Sequence, residues 1–433
     1  MSEVRRRVRD LVLADVEVDG RRTDVVLRDG RPACEAIAGA EVVDGRGGAL
    51  LPGLHDHHLH LLASAAAARS VDCGPPAVRD ATSLRAALAA APGPQVRGVG
   101  YHERVAGPLH RDLLDQVVPD RPARVQHRTG GLWVLNTLAL REIGALDATD
   151  GRLWRGDPRL VPDADAPDLR ALGQELAELG VLGVCDATPE LAAAALQLLV
   201  AADLPQQVLA LGAPDDWQGE AVARGPRKVL LGDEDLDWDA LLAALTSARL
   251  ASRAVAIHTV TRASLVLALA ALDEVGRVDG DRIEHAAVVP LELVPRLAGL
   301  AVVTQPALAA RRGDDYLRDV EEQDRPDLWR YGSLVAAGVR TAPSSDAPYG
   351  PLDPWEVLRQ ARDRRTPSGV ELGSGEAVPV RVALDGMLSA LDTPGGPPRS
   401  VAGSTDLVLL HVPLEEALRE PSRDLVRLVC TAR

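Results

Sequence analysis

Eight short apolar runs, separated by stretches with helical spacing, constrain this chain more than any other feature. They are Leu54–Leu61, Val181–Cys185, Gln207–Leu211, Lys228–Leu231, Ala254–His258, Arg282–His285, Ala301–Gln305 and Val339–Ser344. Between them lie segments with apolar residues three and four apart, such as Leu241–Leu250, Ala263–Leu272 and Leu291–Leu297. Strands alternating with helices imply a parallel sheet, and eight strands is the number that closes a (β/α)8 barrel of the TIM type. The two ends of the chain read differently. Val16 and Val18, then Val25–Leu27, are broken by Asp19-Gly20 and Asp29-Gly30, both hairpin signals. Asp406–Leu410 and Asp424–Val429 are strand-like again. The expected architecture is α/β. A barrel covers 52–399, and a small β-sandwich-type domain is built from residues 1–51 and 400–433. A long insertion, about 64–180, follows the first barrel strand. It is rich in Pro, Arg and Asp, with extended runs of its own at Arg97–Tyr101 and Val125–His127. Connections in compact domains are normally short, so a segment of this length is expected to roof the barrel mouth.

Charge and cysteines narrow the class. A net charge of −15 disfavours nucleic acid or an anionic membrane as partner. Hydrophobic residues make up 46% and Phe is absent, so a soluble globular core of Leu, Val and Ala is expected. Cys34, Cys73, Cys185 and Cys430 are scattered with no CxxC pair, which fits reduced thiols in a cytoplasm. Cys73 and Cys185 are expected to be packing residues. The basic N-terminus runs into an apolar stretch broken by Asp15, Glu17 and Asp19, unlike a signal peptide. Leu191–Leu204 is too short to span a bilayer and reads as a buried helix. The expected partner is a small-molecule substrate, and a homodimer is the candidate assembly.

Leu51-Pro52-Gly53-Leu54-His55-Asp56-His57-His58-Leu59-His60-Leu61 packs four of the chain's ten histidines into six residues. In an extended segment His58 and His60 share one face, one pleat apart, and can reach one metal ion. Imidazole suits zinc and its first-row neighbours. Chemistry in such barrels sits at the C-terminal ends of strands. There His258 closes Ala254–Ile257, His285 closes Arg282–Glu284, and Asp346 follows Thr341–Ser345. Lys228 is the only lysine among 48 Lys plus Arg. Arginine stays protonated, whereas a buried lysine can lose its proton and add CO₂, forming a carbamate able to bridge two cations.

The order His58-x-His60, Lys228, His258, His285, Asp346 resembles the amidohydrolase superfamily, in its amidohydrolase-3 (YtcJ-like) branch. The 51–60 stretch is similar to the superfamily's first-strand signature. Arg282-Ile283-Glu284-His285, Val303-Thr304-Gln305-Pro306, Ser344-Ser345-Asp346-Ala347-Pro348 and Gly403–Val408 extend the resemblance over nearly the whole chain. It implies hydrolysis by metal-activated hydroxide with one or two divalent ions, zinc foremost. His58, His60 and Asp346 would hold one ion and His258 and His285 the other, with carbamylated Lys228 between them. Asp346, Lys228 and His285 would be the catalytic set, Asp346 shuttling the proton to the leaving nitrogen. The bond would be a non-peptide C–N bond in an amide, formamide or cyclic amide of a small molecule. The same barrel also supports a deaminase, a lactonase or esterase, or an isomerase. A non-catalytic barrel would show damaged ligands, and all six are intact. Tyr101, His102, His127, Trp133, Gln305 and Tyr349 are further candidates for contact with substrate. The family often has a substrate-facing histidine where Gly131 stands, so a different or larger substrate is expected. The sequence does not name it.

Overall fold

All eight expected barrel strands are present, within a residue or two of their sequence boundaries. They are β1 (Leu54–Leu59), β2 (Val181–Asp186), β3 (Gln207–Ala210), β4 (Arg227–Leu230), β5 (Val255–Thr259), β6 (Arg282–His285), β7 (Ala301–Thr304) and β8 (Arg340–Pro343). The structure is a computed structural model that describes residues 5–7, 10–33, 39–154, 157–160, 167–231 and 236–431, with Cys34 outside them. One parallel sheet runs β1-β2-β3 and ends on a short strand, Val222–Arg224, which the apolar pattern does not reveal. Only one of that strand's three residues is buried. The other sheet runs β4 to β8 in chain order, every pairing parallel. Backbone hydrogen bonds link the two sheets. Lys228 N donates to Leu211 O at 3.2 Å, Asp346 N to His58 O at 2.8 Å and His60 N to Ala347 O at 2.9 Å.

The helices cover the outer faces because their apolar residues recur every three or four positions. Trp238–Leu250 starts at Asp237, which accepts from Ala240 N at 2.9 Å, and buries Leu241, Leu245 and Ala248. Arg262–Val275 starts in a capping box between Thr261 and Ser264 and buries Leu265, Ala268, Leu269 and Leu272. Both pack with Val255, Ile257 and Ile283 in one apolar cluster. Leu291–Leu297 is a 3₁₀ helix, with Pro295 inside it withholding a donor. The helix expected across Leu191–Leu204 spans Ala193–Ala201 and buries only Leu196 and Leu199. Its apolar composition does not make it a buried helix, since Leu198 stays 40% exposed. Among the described residues no helix is long and apolar enough to cross a membrane.

Both termini contribute two further sheets. Asp10–Val18 and Arg21–Arg28 form the expected hairpin, with Asp19 and Gly20 at φ 49° and 76°. Arg31–Ala33 and Glu41–Asp44 flank them. Asp406–Leu410, Val426–Thr431 and Leu50–Pro52 pair in the other sheet, and Leu11, Leu13, Leu27, Leu50, Leu407, Leu409 and Leu428 share one core. Leu50–Pro52 passes into β1 through Gly53, where an added Cβ would stand 2.7 Å from Leu182.

The chain divides into two compact units, Met1–Leu61 with Leu169–Arg433, and Leu62–Asp168. The second has its own five-stranded mixed sheet, in the order Arg152–Trp154, Leu132–Leu135, Ala123–His127, Val96–Tyr101, Val71–Asp72. Its core includes Leu84, Leu88, Val96, Leu114 and Val125. The helix Leu169–Glu178 falls in the first unit. Cys73, Cys185 and Cys430 are buried.

Candidate metal centre

β1 has every residue buried, and its alternation sorts the four histidines into two pairs. His55 and His57 turn to one side. His55 Nδ1 meets Ser389 O at 2.8 Å, and His57 Nε2 meets Gly386 O and Ser389 Oγ, each at 3.1 Å. Burial holds His55 well below the usual imidazole range and pushes His57 down to about 3. His58, near the end of the strand, and His60, just past it, lie together with ring centroids 5.6 Å apart.

Asp346 follows β8 and faces both, its Oδ1 at 3.5 Å from His58 Nε2 and 3.4 Å from His60 Nε2. That oxygen is buried and makes no hydrogen bond. One atom from each of His58, His60 and Asp346 lies within 4.8 Å of the others. Two imidazole nitrogens turned to an unsatisfied buried carboxylate oxygen suit a divalent cation, because a buried polar atom without a partner is costly. On that observation the residues fit the metal that the sequence implies.

Three more expected ligands converge here. Lys228 Nζ stands 3.5 Å from His58 Nε2, reaching there from the second residue of β4. Burial drives the Lys228 amine down towards its neutral form, opposed by the Glu284 and Asp346 carboxylates. His285 ends β6, its ring 4.7 Å from His58 and 4.5 Å from His258. Burial, then the neighbouring imidazoles, holds His285 well below its ordinary range. Burial, then the neighbouring Lys228 amine, does the same to His58. His285 and Asp346 both sit in left-handed backbone, at φ 68° and 54°. Such conformations concentrate at functional sites.

Several partners at this centre escape a reading of the sequence. Glu284 and Arg282 are fully buried charges in β6, and one Glu284 oxygen contacts His58 Nδ1. Their signal in the sequence is two charges flanking Ile283 in a short strand, which demand partners once the strand is buried. Asp56 accepts from His58 N at 3.1 Å and Ser345 N at 3.3 Å, tying the ends of β1 and β8 together. Burial pushes its carboxyl up to about 6. Asp186 accepts from Leu61 N at 2.8 Å and Thr188 N at 3.0 Å, and Thr188 Oγ1 reaches His60 Nδ1 at 3.5 Å.

The substrate candidates divide between the units. Gln305 is fully buried with both ends of its amide engaged. Its Oε1 meets His285 Nδ1 at 2.8 Å, and its Nε2 donates to Ser344 Oγ at 2.9 Å. Tyr349 sets its ring edge-on to His60, with centroids 5.5 Å apart. The other four lie in the Leu62–Asp168 unit. Tyr101 is buried in that unit's core and donates its hydroxyl to Gly107 O at 2.6 Å. His102 caps a short helix by accepting from Arg104 N and stacks on His127, 6.1 Å away. His127 also meets Glu103 Oε2 at 3.1 Å. Trp133 has the guanidinium groups of Arg97 and Arg124 within 5.1 and 5.3 Å of its ring centroid. At Gly131 an added Cβ would meet only Thr129 Oγ1, at 3.9 Å.

Residues 41–387 match the profile of the amidohydrolase family. The N-substituted formamide deformylase of Arthrobacter pascens is 25% identical over 453 residues, covering 85% of this chain and 83% of that protein. An uncharacterised metal-dependent hydrolase from Pyrococcus horikoshii OT3 has the same fold with a TM-score of 0.74 at 17% identity, covering 96% of this chain and 99% of that one. Another, from Pyrococcus furiosus, gives 0.67 at 19%, covering 87% and 92%. At these identities the structures speak for the fold, while the profile match across most of the chain speaks for kinship. The chain therefore belongs to the amidohydrolase family, hydrolases of carbon–nitrogen bonds other than peptide bonds.

Proposed function

We propose that this protein uses divalent metal, zinc foremost, to hydrolyse the C–N bond of a small formamide or related amide. The observation that carries the reading is the convergence of His58, His60 and Asp346 on one point, with Asp346 Oδ1 buried and making no hydrogen bond. His58, His60 and Asp346 would hold one ion and His258 and His285 a second, with the Lys228 carbamate between them. The ring spacings of 4.7 and 4.5 Å along His58, His285 and His258 support one continuous centre. A bound divalent ion would make water a nucleophile near neutral pH and polarise the substrate carbonyl. The Asp346 carboxylate would take the proton of the attacking water and pass it to the departing nitrogen. Lys228, kept towards neutrality by burial, is suited to carbamate formation rather than to serving as a fixed cation. The formamide preference rests on the Arthrobacter pascens relative, whose activity is known by name.

The supporting architecture is read as a closed eight-stranded barrel, with the sheets of both termini as a small second domain. The backbone hydrogen bonds at Lys228–Leu211 and Asp346–His58 support closure. The test is to strip the protein with a chelator, restore zinc, and assay N-substituted formamides beside longer N-acyl amines, lactones and purine or pyrimidine amines. Zinc-dependent release of formate is expected. Turnover that ignores the metal, or turnover confined to ring amines, would overturn the reading.

A further inference from the structure

We propose that Glu284 is the positioning residue of the centre. It holds the His58 imidazole in the tautomer and rotation that present Nε2 to a cation, and Arg282 holds Glu284. This rests on the reading of His58 as a metal ligand, and it assigns a task to two residues that themselves face no ion.

The strand β6 is Arg282-Ile283-Glu284-His285, with every residue buried. Ile283 packs among the outer apolar residues, so alternation turns Arg282 and Glu284 to the opposite face. Glu284 Oε2 contacts His58 Nδ1 although the residues are 226 positions apart. Its other oxygen, Oε1, accepts from Arg282 Nε at 2.5 Å. Arg282 Nη2 also donates to His57 O at 3.1 Å and Cys185 Sγ at 3.4 Å, so the guanidinium is braced on β1 and β2. Glu284 is 0% exposed and Arg282 1%. Neither charge can rotate away without leaving the other unpaired in a dry interior, a costly change.

Glu284 already accepts from Arg282, and as the acceptor at His58 it places the proton on Nδ1 and the lone pair on Nε2. That Nε2 lies 3.5 Å from both Lys228 Nζ and Asp346 Oδ1. A purely structural ion pair needs only the contact between Arg282 and Glu284. The second carboxylate oxygen on a ligand's Nδ1 is what points to the metal, since such partners orient the ring and raise the basicity of its other nitrogen.

The experiment uses the full chain as wild type, as Glu284→Gln, and as the double variant Arg282→Met with Glu284→Gln. The double variant removes the guanidinium that a lone glutamine would leave without a counter-charge. Each protein is stripped and its zinc affinity is measured by competition with a chromophoric chelator, beside the melting of the metal-free form. Both variants are expected to bind zinc about 10–100-fold more weakly than wild type. The metal-free double variant should melt close to the metal-free wild type, which a merely structural role would not allow together with lost affinity. Wild-type affinity in either folded variant would overturn the proposal and leave the metal reading standing. A wild-type protein that takes up no zinc would overturn both.

Discussion

The Nζ of Lys228 stands 3.5 Å from the Nε2 of His58, joining β4 to β1 across 170 residues of sequence. Every other Lys or Arg of the chain is arginine, and an arginine here could not form the carbamate proposed above.

Lys228→Arg keeps the charge and nearly the length but cannot form a carbamate. It is expected to lose at least one equivalent of zinc by elemental analysis and most of the hydrolytic rate. Lys228→Ala should lose the same, and acetate or propionate added to it should restore part of the rate by placing two oxygens in the vacated space. Full metal and wild-type rate in Lys228→Arg would exclude the carbamate.

Asp346→Asn removes the carboxylate charge and the proton acceptor while keeping shape. The expected result is a rate loss of more than about 100-fold, beyond what removal of a supporting partner costs. Zinc content should fall with it. Retained rate would move the proton transfer to another group.

Gln305→Leu would leave His285 Nδ1 without its partner, while Ser344 Oγ keeps Thr304 O at 3.4 Å. Orphaned buried polar groups cost about 1–3 kcal/mol each, so denaturant titration should show a loss of that order. Weaker binding of one zinc equivalent should accompany it. A variant as stable as wild type would mean that water replaces the amide.

Metal removal should lower stability without unfolding the chain, because apolar packing such as that of Leu245, Ile257, Leu269 and Ile283 does not depend on the ion. Zinc at a hundred times its dissociation constant should return about 2.7 kcal/mol. Thermal melts with and without chelator measure this. Identical melts would argue against a site formed only in the folded state.

Gly183→Ala tests how β1 and β2 pack. The added Cβ would stand 2.6 Å from His55 Nε2, and that ring is fixed by Ser389 O. Overpacking of this kind costs about 1–3 kcal/mol. In a His55→Ala background the cost should vanish, and persistence there would place the strain elsewhere.

Sequence alone located eight of the strands to within a residue or two, and the order of the metal-type residues near their ends. Apolar runs and turn residues are local signals. Asp19-Gly20 needs no distant partner to turn, and the order of His58, His60, Lys228, His258, His285 and Asp346 is written along the chain. Tertiary structure decided what each buried polar residue meets. Every residue of β1 is buried, so apolar patterning could not show that His55 and His57 face Gly386 and Ser389 while His58 faces Glu284. Gln305 looked available to substrate until its amide was placed between His285 and Ser344. The helix Ala193–Ala201 looked buried by composition, yet its burial depends on what packs against it. The physical reason is common to all of these. A hydrogen bond between residues 226 positions apart depends on where the strands bring two side chains, and local sequence carries no record of that meeting.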